Sequence, residues 1–103
     1  MDRRIKFRHL DAFSAIARAG SFKKAAAELN LSQPAISKAL KELEGILGTD
    51  LMERDRSGIK LTQKGEVFLQ FAEQSTAALR HGLRSVRTSG DAKDHLNIGV
   101  LPS

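Results

Sequence analysis

The chain has 103 residues and carries 17 Lys and Arg against 12 Asp and Glu, a net charge of +5, so it has room for one small domain plus an appendage but not for two independent cores. With 41% apolar and 28% charged residues, neither wholesale disorder nor a fibrous protein is favoured. Cysteine is absent, which excludes disulfide staples, thiolate zinc sites and cysteine nucleophiles, and no apolar run approaches the roughly 18 residues of a membrane span.

The basic start MDRRIKFRHL leads into no signal-type hydrophobic stretch, so a cytoplasmic chain with no membrane partner is expected. Leu10, Phe13, Ile16 and Ala17 then fall at helical spacing and predict a first helix from about Phe7 to Ala19, stopped by Gly20. Ser21 caps a short second helix from Lys23 to Leu29, whose Ala25, Ala26 and Ala27 permit close packing. Asn30 and Leu31 form a turn, Ser32 is the next cap, and Pro34 sits in the first turn of a third helix that ends near Leu47 at Gly48. Leu51 to Glu53 and Ile59 to Leu61 flank the turn formers of DRSG and predict a small hairpin or wing. Thr62 caps a fourth, much longer helix, uninterrupted by proline from Lys64 to Thr88 and ended by Ser89, Gly90 and Asp91. The closing LNIGVLPS reads as a strand with nothing to pair with, as expected if a second domain begins there in a longer protein.

Charge is unevenly placed, with nine bases and three acids from Met1 to Lys41 but four of each from Gly65 onward. A polyanion partner for the N-terminal half follows, the plain alternative being a merely soluble surface. On a wheel of roughly 100° per residue, Ile36, Ala39, Leu40, Leu43 and Leu47 collect on one side of the third helix and Pro34, Ser37, Lys38 and Lys41 on the other. Gln33 can pair bidentately with adenine, Ser37 both donates and accepts, and Lys38 can reach guanine acceptors or a phosphate. Any surface helix shows polar residues outward. Here, however, a short Ala-rich helix, a tight turn and a capped, Pro-started helix follow one another, which is the helix-turn-helix pattern. Lys23 and Lys24 open the second helix, the element that crosses the sugar-phosphate backbone in such motifs, and are phosphate candidates or a solvated pair. Arg3, Arg4, Lys6 and Arg8 are either a contact to an anionic surface or a disordered basic start.

The runs AAAELNLSQPAISKALKELE, LGTDLMER and LTQKG closely resemble the winged helix-turn-helix of LysR-type transcriptional regulators, a match reaching from about Phe7 into the long helix. The fold class expected is mainly α: three helices and a β-hairpin wing over 5–62, a linker and dimerisation helix over 63–89, then a hinge and first strand over 90–103. The resemblance implies that Gln33, Pro34, Ala35, Ser37, Lys38 and Lys41 face the major groove of double-stranded DNA. Wing residues around Arg54 would touch the backbone, with Arg56 and Ser32 as further phosphate candidates. Two positions depart from the family pattern. Lys38 stands where the family often has Arg, which turns a fork-like contact into a point charge, and Ser57 stands where many members carry Arg, with Arg56 one place earlier.

In the long helix Leu69, Ala72, Thr76, Leu79, Leu83 and Val86 alternate at spacings of three and four, the seam of a coiled coil, interrupted by Gly82. Phe68, Phe71, Ser75 and Ala78 form a second stripe beside it. One stripe can dock on the chain's own domain and the other on a second copy, unless both pack inside one domain. The resemblance favours a linker-helix homodimer, or a dimer of dimers in the full-length protein, on two half-sites related by a dyad. It also implies an effector-binding domain beyond the linker, of which LNIGVLPS resembles the first strand, so a small-molecule effector is expected only there. The start RIKFRHL and the ending IGVLP resemble regulators of aromatic-acid breakdown.

Catalysis has little support. His9, His81 and His95 are scattered, no Gly-rich phosphate loop exists, and neither a metal site nor a cofactor is expected. Glu42 and Glu44 read as solvated residues on an exposed helix. The rival to a DNA-binding regulator is a helical protein-interaction module whose basic face binds an acidic partner.

Overall fold

A computed structural model describes residues 4–91. Helices α1 (Phe7–Ala19), α2 (Phe22–Leu29) and α3 (Gln33–Leu47) precede strands β1 (Met52–Asp55) and β2 (Gly58–Leu61), and α4 (Gln63–Asp91) closes the described chain. The architecture is the mainly helical winged helix-turn-helix with a long following helix. The strand expected in LNIGVLPS lies outside the described residues.

The helix boundaries follow from local chemistry. The Ser21 hydroxyl accepts from the Lys24 N–H at 3.0 Å and the Ser32 hydroxyl from the Ala35 N–H at 3.2 Å, so α2 and α3 each start on a side-chain cap. Asn30 stops α2 in the left-handed region at φ 58°, which Asn tolerates better than other non-glycine residues. Only Leu31 then separates it from the next cap, and this brevity fixes the angle between the two helices. The Thr62 hydroxyl accepts from the Gly65 N–H at 3.0 Å and donates to the Asp50 carbonyl at 2.8 Å, fastening the start of α4 to the segment before the wing.

Phe13 and Ile16 of α1, Ile36 and Leu43 of α3 and Leu51 are the largest fully buried apolar side chains. Ala25 and Ala26 of α2 and Ala39 of α3 let the helices approach closely around them, whereas Ala27, expected beside them, is exposed. Phe68 of α4 packs a tilted ring on Phe13, with centroids 5.9 Å apart. Where Leu51 enters the wing its backbone lies on the first turn of α4, so closely that a Cβ at residue 65 would stand 2.0 Å from the Leu51 carbonyl oxygen. Only glycine fits there.

Two readings of the sequence are corrected. Glu42 and Glu44 are not simply solvated. His9, only 2% exposed, accepts the Lys6 N–H through Nδ1 at 2.9 Å, which places its proton on Nε2 for a 3.0 Å hydrogen bond to the Glu42 carboxylate. Glu44 accepts from the Leu51 N–H at 2.8 Å and the Met52 N–H at 3.3 Å, tying α3 to the entry of β1. The long-helix seam is also divided. Ala72 (1% exposed) and Thr76 (2%) are buried within this chain, and Leu69 is half-buried against the same core. An Arg80–Asp11 ion pair further fixes α4 to α1, and past it the side chains of residues 81–88 are exposed. Of the expected seam, only Leu79, Leu83 and Val86 are left for a second copy, together with Phe71 of the neighbouring stripe.

Candidate nucleic-acid interface

The outward side of α3 presents its residues in rows. Gln33, Ser37 and Lys41 follow one another at four-residue steps along the edge nearest the wing, while Pro34 and Lys38 lie farther round. Gln33, Pro34, Lys38 and Lys41 are exposed; Ala35 and Ser37 are half-buried. The first row borders two shallow clefts between α3 and the hairpin. One, of about 310 Å³, is lined by Lys23, Gln33 and Arg54, and the other, of about 420 Å³, by Ser37, Lys41 and Arg54. Phe22 lines both. The tertiary fold therefore gathers the start of α2, the leading turns of α3 and the first wing strand into one surface, on which Lys23, Lys41 and Arg54 outnumber the lining acids Asp55 and Glu44. Lys38 stands apart from that gathering, beside Glu42 one helical turn on, and Lys24 is exposed on α2 next to Lys23.

The wing separates its two arginines. In the register Met52 opposite Leu61 and Arg54 opposite Ile59, strand alternation puts Arg54 on the inward face of the hairpin. Its guanidinium carbon lies 4.4 Å from the centroid of the Phe22 ring. Arg56 is exposed in the turn at the tip. Ser57, where the family pattern has Arg, is used in that turn: Asp55 accepts its N–H at 2.9 Å and its hydroxyl at 2.7 Å. These hydrogen bonds, assisted by Lys60 at 3.9 Å, hold the Asp55 carboxyl below its ordinary value. A charged Asp55 thus offsets part of the positive charge of the wing. Ser32, accepting from the backbone of α3, keeps its hydroxyl hydrogen to donate outward.

Behind α3, the hydrogen bond from His9, with Arg8 at 3.6 Å and Lys38 nearby, holds the Glu42 carboxyl below its ordinary value of 4.5. A carboxyl lowered in the folded state stabilises that state above its unfolded pKa, and the contribution is lost as pH falls through the folded value. We expect Glu42→Gln to flatten the fall of the melting temperature below about pH 5, the upper edge of the window for such a carboxylate. Thermal unfolding followed by circular dichroism checks this, and an acid limb parallel to that of the unaltered chain would contradict it.

Neither Phe22 nor the His9–Glu42 and Glu44 anchors were picked out by motif. A signal for the first existed: an arginine at an inward position of a strand needs a seat. Among the described residues no group of His, Asp or Glu is placed to hold a metal ion, and no helix is long and apolar enough to cross a membrane.

Comparison with known proteins agrees with this geometry. The family model described as bacterial regulatory helix-turn-helix protein, lysR family, matches residues 7–66. The chain belongs to the LysR family. The HTH-type transcriptional regulator PcaQ of Agrobacterium fabrum is 43% identical over 100% of this chain and 33% of its own length. The uncharacterized HTH-type transcriptional regulator YdcI of Escherichia coli is 46% identical over 97% of this chain and 33% of its own. The LysR chain thus spans about a third of the length of these relatives. Among solved structures, the BenM DNA-binding domain in complex with catB site 1 DNA superposes with a TM-score of 0.77 at 31% identity, covering 84% of this chain and 97% of that one. The CbnR DNA-binding domain in its DNA complex gives 0.70 at 41% identity, covering 82% and 99%. The described part of the chain has the fold of a LysR-type DNA-binding domain.

Proposed function

We propose that this LysR-family chain reads duplex DNA through the Gln33–Ser37–Lys41 edge of α3, as the N-terminal part of a cytoplasmic transcription regulator that acts by stoichiometric binding and not by catalysis. One observation carries the reading: this row of short polar and cationic side chains borders two adjoining clefts that share Arg54, with Lys23 beside Gln33 in the first and Lys41 beside Ser37 in the second. A helix in the major groove needs that division, with hydrogen-bonding groups against base edges and cations against phosphates. Pro34, Ala35 and Lys38 complete the base-facing set; Lys24, Ser32 and Arg56 complete the phosphate set.

A dimer through α4 follows from its uncovered face. Phe71 is 58% and Val86 71% exposed, and with Leu79 and Leu83 they leave large apolar side chains uncovered along α4, beside the start of α1 and past it. A two-fold pair of such helices presents two copies of α3 to dyad-related half-sites, and the full-length protein can pair dimers further. Phe71→Asp should leave the monomer folded but give a one-chain mass in sedimentation at concentrations where the unaltered chain sediments as a dimer. A dimer that survives this change would place the interface elsewhere. Effector binding, including any response to aromatic acids, belongs to the domain expected beyond the linker.

The function is tested by titrating labelled duplexes at different salt concentrations. A dimer neutralising about 6–10 phosphates loses affinity by orders of magnitude between roughly 50 and 200 mM salt, while a preference for one sequence selected from random duplexes survives. Binding without sequence preference, or binding to an acidic protein in its place, would favour the interaction-module reading.

A further inference from the structure

We infer that Phe22 is a positioning residue for the DNA contact, its ring being the seat that aims the Arg54 guanidinium into the junction between wing and α3. The inference rests on the DNA-binding reading above. Along the inward face of the hairpin Met52, Ile59 and Leu61 are half-buried, and Arg54 continues that apolar row with a cation. A long basic side chain in such a place lays its stem over apolar surface and needs a partner for its head. Among the described residues the ion pairs involve other side chains, and the Phe22 ring at 4.4 Å is what Arg54 meets.

The kind of partner matters. A carboxylate would occupy the N–H donors of the guanidinium and cancel its charge. A ring beneath the guanidinium takes the flat face and leaves the donors around the rim free for phosphate oxygens, while removing freedom that binding would otherwise have to remove. Phe22 and Arg54 line both clefts, so the stack stands between the Lys23–Gln33 side and the Ser37–Lys41 side. Because Phe22 opens α2 directly after its Ser21 cap, the stack also ties the wing to the helix that carries Lys23. The wing is thereby aimed by α2 and not by its own two strands alone.

The test combines a readout without DNA and one with it. In the free chain, ring-current displacement of the Arg54 δ-methylene protons should be seen in the unaltered protein and in Phe22→Tyr, and be lost in Phe22→Leu. In duplex titrations Phe22→Leu should weaken binding about two- to fivefold, as loss of an exposed cation–ring contact does, while Phe22→Tyr keeps the affinity. On an Arg54→Ala background the Phe22→Leu change should cost nothing further, because nothing remains to be aimed. An equal loss from Phe22→Leu on both backgrounds, or a loss with Phe22→Tyr, would mark Phe22 as core packing only and overturn the inference while leaving the DNA reading intact. A chain that shows the ring-current displacement yet binds no duplex in a salt-sensitive way overturns the DNA reading, and the inference with it.

Discussion

Gly65→Ala is expected to destabilise the domain by about 3 kcal/mol, the upper part of the range for forcing atoms into a packed site. The added Cβ would stand 2.0 Å from the Leu51 carbonyl oxygen and 2.9 Å from its carbonyl carbon, main-chain atoms with no rotamer through which to retreat. That oxygen also accepts the Thr62 N–H at 3.0 Å, and the Leu51 N–H is held by Glu44, so movement of this strand entry would break contacts to both α3 and α4. Gly45→Ala is the counterpart. It lies within α3 with nothing within 4 Å of the added methyl, and should stabilise the fold by about 0.5–1 kcal/mol through helix propensity alone. Urea unfolding midpoints of the two variants should move in opposite directions. A Gly65→Ala variant as stable as the unaltered chain would mean that the wing entry does not cross α4 at Leu51.

Gln33→Ala is expected to cost about 1–3 kcal/mol of discrimination between a selected site and a random duplex, the usual value of a good bidentate base contact. Gln33 is exposed on the first turn of α3 and its side chain makes no hydrogen bond among the described residues, so truncating it should leave the melting temperature unchanged. Lys23→Ala should behave differently, weakening all duplexes alike and lowering the salt slope by about one phosphate. The contrast separates a group that reads sequence from one that holds backbone. Equal losses on selected and random duplexes from the Gln33 change would remove that residue from the groove.

Much of the helical frame is legible locally because caps and stops act within a few residues. Ser21, Ser32, Gly20 and Gly48 mark boundaries that the structure places within one residue of expectation, and Phe7–Ala19 coincides with the first expected helix. Pro34, Ser37, Lys38 and Lys41 on the outer side of α3 follow in the same way from helical period, and Gln33 from its place in the leading turn. Glu42 and Glu44 depart from expectation for the complementary reason. Charge on an amphipathic helix predicts solvation, whereas their partners, His9 and the Leu51 and Met52 amides, come from segments that no local pattern connects to them.

The apolar stripes of α4 show the same boundary between the two kinds of information. Period alone identifies Leu69, Ala72, Thr76, Leu79, Leu83 and Val86 as one continuous seam. It does not say where α1 ends, and α1 is what covers Ala72 and leaves Leu83 in solvent. By itself, then, the sequence determined family, helix order and the polar edge of α3, since each depends on spacing within a short stretch of chain. Only the tertiary structure decided which stripe is used up internally, what Arg54 rests on and why residue 65 must lack a side chain, because those depend on distances between segments that spacing does not encode.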